Sequence, residues 1–69
     1  MKISYDQEAD AMYIYLDEEA EVEKTKEIDH DVIIDYDKKG KIIGVELLLV
    51  KEKRPHLLKQ IKVENLIPA

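Results

Sequence analysis

Apolar and polar side chains alternate along most of this chain, the period-two pattern of strands that bury one face. In KISY, Ile3 and Tyr5 share a side, and in AMYIYL, Met12, Ile14 and Leu16 face one way while Tyr13 and Tyr15 face the other. The spacing predicts two adjacent strands. DQEAD between them reads as a single helical turn that sets the hairpin register. Asp6 there offers its carboxylate to the amides that follow, and Gln7, Glu8 and Asp10 suit a first turn.

EVEKTKEI has apolar residues only at its ends, Val22 and Ile28, with Lys, Glu and Thr25 between, as expected of an exposed edge strand defended by charge. VIIDY places Val32, Ile34 and Tyr36 on one face. IIGVELLLV places Ile43, Val45, Leu47 and Leu49 on one face and Ile42 and Leu48 opposite, so these two segments read as the core strands. DKKGK joins them, with Gly40 where a short hairpin loop needs positive φ, which predicts a direct antiparallel connection.

After KEKR, Pro55 suits a first helical position because its missing amide hydrogen has no partner to lose there. HLLKQI then reads as a short helix whose stripe of Leu57, Leu58 and Ile61 lies on the sheet. The tail KVENLIPA admits a helix extension, an irregular arm or a reach to another chain. The predicted architecture is α+β: an antiparallel β-meander sheet of four or five strands with a short C-terminal helical segment, in one domain over residues 1–69. Strand order is left open.

Composition narrows the function classes. A chain of 69 residues buries only about 60% of its unfolded surface, so its core is thin and association helps it. The absence of cysteine excludes a disulfide framework and thiolate metal sites. MKISYDQEAD lacks the apolar stretch of a signal peptide, and the run LLLV is too short to cross a bilayer, so a soluble cytoplasmic protein without membrane contact is expected. Charged residues reach 39%, with one Asn and two Gln, a bias shared with hyperthermophile proteins, so a thermophilic source is expected. The charge is also divided: residues 1–37 carry three basic and thirteen acidic side chains, residues 38–69 eight basic and three acidic. The halves either neutralise each other, within the fold or across a homodimer, or the acidic half faces a basic partner.

YDQEADAMYIYL followed by DHDVIIDYDKKGKIIGVELL resembles a family of small prokaryotic proteins known as domain of unknown function 2283. The resemblance covers about residues 1–50: the tyrosine–aspartate turn, the AD-A-x-Y strand start, the V-I-x-D-Y-D hairpin entry and the hairpin exit at Gly44, Val45 and Glu46. Gln7 stands where the family often has proline, and the tail from Lys51 onward lies outside the match. The resemblance implies a small β-rich protein with no catalytic residues to transfer. Some members are encoded beside small toxin-like proteins, which implies an antitoxin-type role against a small basic partner.

The candidate chemistry is sparse. Asp29, His30 and Asp31, with Asp35 nearby, have the ligand types for a divalent ion, but in an extended strand the middle side chain points away from its neighbours. A solvated turn is therefore the favoured reading, and no metal or cofactor is assigned. Ser4 and Thr25 are the hydroxyls available to His30 or His56, and neither sits in a nucleophile motif, so no catalytic residue is assigned and an enzyme is not expected. No glycine-rich phosphate loop is present. Lys51, Lys53, Arg54 and Lys59 in KEKRPHLLK are the best nucleic-acid contacts the chain offers, set against a net charge of −5 and no aromatic platform beside them.

The leading expectation is a non-enzymatic interaction module that forms a homodimer. IIGVELLLV is apolar on both faces, more than a lone two-layer domain uses, and Tyr13, Tyr15, Ile42 and Leu48 are the candidate contact surface. A small DNA-binding regulator using residues 51–59 is the alternative.

Overall fold

In the computed structural model residues 1–60 are described. The alternating segments form β1 (Lys2–Asp6), β2 (Ala11–Tyr15), β3 (Lys24–Asp29), β4 (Val32–Tyr36) and β5 (Ile42–Leu48). A short helix α1 (Val50–Lys53) and a 3-10 turn at Pro55–Leu58 follow. All strand pairings are antiparallel, and the five strands lie in the order β1-β2-β5-β4-β3. The chain thus meanders through β3, β4 and β5, and the first hairpin returns along the open side of β5. That return puts β5, the most apolar strand, in the centre, and leaves the charged, fully exposed β3 at one edge, where ionic side chains discourage unwanted strand addition.

Local polar chemistry fixes the turns. Asp6 Oδ1 accepts from the amides of Glu8 (3.0 Å) and Ala9 (3.1 Å), as the sequence leads one to expect. In the β4–β5 hairpin, Asp37 Oδ1 accepts from the amides of Lys39 and Lys41, both at 2.9 Å. Gly40 closes that loop at φ 82°, where a Cβ would be strained. His30 and Asp31 turn β3 into β4, next to a register shift between Glu27 and Asp29.

Cross-strand partners share a face. Ile3 pairs with Ile14, Ile14 with Val45, and Val45 with Ile34, so these residues form one apolar face together with Met12, Leu47 and Val32. The other face carries Ser4, Tyr13, Tyr15, Gly44, Glu46, Asp35 and Thr25. The predicted separation of Met12 and Ile14 from Tyr13 and Tyr15 is therefore found.

Four expectations need correction. β5 ends at Leu48: Leu49 turns to φ 54° and precedes α1, so Leu49 does not continue the strand face of Ile43, Val45 and Leu47, and Val50 begins a helix. A register shift between Asp35 and Tyr36 pairs Ile42 with Tyr36, which takes Ile42 out of the alternation that set it beside Leu48. With Gly44 and Glu46 on the second face of β5, that strand is less apolar on both sides than its composition suggests. Of HLLKQI, the described residues form only the 3-10 turn Pro55–Leu58, packed chiefly against α1, with Leu58 37% exposed. Ile61 and the tail KVENLIPA lie outside the described residues.

Among the described residues the buried apolar side chains are few: Met12, Ile43 and Val50. Among the described residues one sheet forms the body of the fold, without a second full layer.

Candidate functional site

The β1–β2 turn, the β3–β4 turn and the end of β5 all lie at the same end of the sheet, and there two aspartates hold α1. Asp10 sits at φ 53°, a left-handed conformation that Asp tolerates better than most residues. Its Oδ1 accepts from the Tyr5 hydroxyl at 2.7 Å and from the Lys51 amide at 2.9 Å, and its backbone carbonyl accepts from the Val50 amide at 3.3 Å. Leu49, at the N-cap position, supplies no side-chain cap, so Asp10, 41 positions before Lys51, caps the helix instead. The Tyr5 hydrogen bond, followed by the Lys51 amide, holds the Asp10 carboxyl below the usual carboxylate range, and the same bond raises the Tyr5 hydroxyl.

The second anchor is Asp31, 3% exposed, whose Oδ2 accepts from Arg54 Nη1 at 2.7 Å and lies 3.8 Å from Lys53 Nζ. The Arg54 hydrogen bond is the main cause of its lowered pKa. The turn also brings Asp29, His30 and Asp31 together, with ligand atoms within 4.8 Å of one another, which a flat strand could not do. These donors are already engaged. Lys53 Nζ donates to His30 Nε2 at 2.6 Å, which leaves the ring proton on Nδ1, donated to Asp29 Oδ1 at 2.9 Å. A divalent ion would have to displace an ammonium and a guanidinium, so the residues fit a closed ionic cluster better than a metal centre.

On the polar face, Tyr13 reaches from β2 across β5 to β4. Its hydroxyl donates to Asp35 Oδ2, and Thr25 Oγ1 donates to Asp35 Oδ1 at 2.6 Å. Gly44 makes the crossing feasible, because a Cβ there would lie 2.5 Å from the Tyr13 hydroxyl oxygen. Burial, then the Asp35 carboxylate, pushes the Tyr13 hydroxyl well above its ordinary pKa. Tyr15 packs on Tyr13, ring centroids 4.4 Å apart, and Lys2 Nζ lies 5.2 Å from the Tyr15 ring. This network ties strands together. Thr25 is held on Asp35 while His30 is held by Asp29 and Lys53, so the structure does not assemble these two into a nucleophile and base.

Of the candidate contact residues, Tyr13, Tyr15 and Leu48 share the polar face, with Tyr13 turned toward its own sheet, while Ile42 is set with Tyr36. Of the candidate nucleic-acid residues, Lys53 and Arg54 lie on Asp31, the Lys51 amide is bound by Asp10, and Lys59 is exposed just after the 3-10 turn. The acidic and basic halves therefore meet inside the fold at this end of the sheet. The sequence reasoning missed Asp10 as a helix cap and Gly44 as the seat of Tyr13. The charge asymmetry between the halves was a signal for the Asp31–Arg54 pair; nothing local marked the other two. Among the described residues no helix is long and apolar enough to cross a membrane.

A family profile described as protein of unknown function (DUF2283) matches residues 2–51, and the chain belongs to that family. The chain is also 42% identical over 48 residues to an uncharacterised protein, MJ0789, of Methanocaldococcus jannaschii, an alignment that covers 70% of this chain and 40% of that protein. The chain thus corresponds to less than half of that relative's length. No solved structure matches it. The matched residues hold Asp10, Asp31 and the whole sheet, and end at Lys51, so Lys53 and Arg54, which grip Asp31, lie beyond the match.

Proposed function

We propose that this chain is a non-enzymatic protein–protein interaction module whose contact surface is the apolar face of the sheet around Ile14, Val45 and Ile34. The supporting observation is that this face stays partly open: Ile14, Val45 and Ile34 are only partly buried, and Ile3 and Leu16 are 38% and 46% exposed. An open apolar sheet face of this kind is a recognition surface when a partner covers it and an aggregation hazard when none does.

The proposal moves the contact surface from the Tyr13 and Tyr15 face to the opposite one. The tyrosines already have partners within the sheet, whereas Ile14 and its neighbours lack a full covering layer among the described residues. Thr25 is bound to Asp35 and His30 to Asp29 and Lys53, which supports a binding role over a chemical one.

Native mass spectrometry on the full chain purified from its own cells tests this. The expected result is a complex heavier than the 8.1 kDa chain, lost in Leu16→Lys, whose exposed position spares the fold, and in the more central Ile14→Lys. Far-UV circular dichroism of Leu16→Lys should match wild type. A wild-type spectrum holding only the single chain at micromolar concentration overturns the proposal.

A further inference from the structure

We infer that the occupant of this apolar face is a second copy of the chain, packed face to face with the two-fold axis parallel to the strands, so that β3 of each copy lies over β1 of the other. The inference rests on the proposed contact face and goes beyond it by naming the partner and its orientation.

Charge placement carries the argument. β1 and β3 are the two edges of the sheet and run in the same direction, so Lys2 and Lys24 begin at the same end. Lys24 pairs with Tyr36 and Lys26 with Ile34, which puts both ammonium groups on the apolar side of β3. With Lys38 they border a groove of about 410 Å³ floored by Tyr36 and also bordered by Glu23 and Asp37. Three lysines against Glu23 and Asp37 leave the groove a surplus of one positive charge.

The opposite edge, at the same end, is acidic. Asp17, Glu18 and Glu19 leave β2, and Glu18 Oε2 lies 3.8 Å from the Met1 amine that precedes β1. Rotation by half a turn about an axis along the strands exchanges the two edges and keeps the ends together. Lys24 and Lys26 of each copy then face Glu18 and Glu19 of the other, twice by symmetry, and the apolar faces meet as an aligned sandwich. Complementary rims of this kind set orientation and register more than they set total affinity.

Sedimentation equilibrium on the recombinant full chain alone tests the inference. Lys24→Glu with Lys26→Glu alters exposed edge positions and should weaken dimerisation about tenfold or more; Glu18→Lys with Glu19→Lys should do the same, since each pair counts twice. Combining all four should restore the affinity to within about threefold of wild type, and about 0.5 M salt should erase most of the difference between the variants. A dimer indifferent to these charges overturns the orientation. A chain that is monomeric alone but part of a complex in its own cells overturns the second copy and leaves the interaction module standing. A monomer in both settings overturns both.

Discussion

The carboxylate of Asp10 binds the backbone amide of Lys51, Oδ1 at 2.9 Å and Oδ2 at 3.2 Å, so the first hairpin of the sheet caps the helix that follows the last strand. A four-residue helix leaves most of its amides without intrahelical partners and has little stability of its own. Asp10 at its start and Asp31 on Arg54 just past its end supply what the helix lacks.

These two contacts make the helix docking sensitive to acid. Both carboxyls sit below their ordinary value in the folded chain, so each contributes stability that is complete above the unfolded pKa of about 4 and is lost as pH falls through the lowered folded value. Melting temperatures of wild type, Asp10→Asn and Asp31→Asn should differ most near pH 7 and converge toward about pH 2. A gap that stays constant over this range would show that the charges are not the cause.

Gly44 should resist substitution even though nothing about its backbone demands glycine. Gly44→Ala drives a methyl group to 2.5 Å from the Tyr13 hydroxyl oxygen and 3.0 Å from two ring carbons, and it should cost about 1–3 kcal/mol in urea unfolding. Addition of Tyr13→Phe removes the nearest atom, so the penalty of Gly44→Ala should be smaller in that background. Equal penalties in both would count against the proposed clash.

Two left-handed positions should respond to substitution to different degrees. Gly40, at φ 82° with open space around it, should lose about 1 kcal/mol on substitution by Ala, because only the backbone objects. Leu49 adopts φ 54° with its side chain 38% exposed, so Leu49→Gly relieves backbone strain of similar size, which offsets much of the burial it loses. Thermal unfolding of both variants checks the pair, and the expected order is Leu49→Gly above Gly40→Ala.

His30 should carry its neutral proton on Nδ1, since Lys53 donates to Nε2. Nitrogen chemical shifts of the imidazole report the tautomer directly. Zinc or manganese added in slight excess should leave these signals in place in wild type, where Lys53 occupies the ring nitrogen. In Lys53→Ala with Arg54→Ala the turn keeps Asp29, His30 and Asp31 within 4.8 Å without their cations, and the same additions should shift or broaden the ring signals.

Much of the sheet was legible in the chain because a strand declares itself locally. Alternation set Met12 and Ile14 against Tyr13, Asp6 and Gly40 marked turns, and the charged run before Asp29 marked an edge. The helix boundary was not legible. Leu48, Leu49 and Val50 continue an apolar run, and what stops the strand is the Asp10 carbonyl and carboxylate waiting for the amides of Val50 and Lys51. Likewise, DHD reads in one dimension as a ligand set, and only the turn of β3 into β4 beside α1 puts Lys53 and Arg54 on it.

Local pattern settles where the strands lie and, away from the two ends of β5 at Ile42 and Leu49, which of their side chains share a face, because both follow from the fixed two-residue repeat of an extended backbone. Strand order, the capped helix and the pairing of the acidic half with the basic one were decided by tertiary structure. Each joins residues more than twenty positions apart, and such contacts depend on where the folded chain brings its ends together rather than on any local pattern.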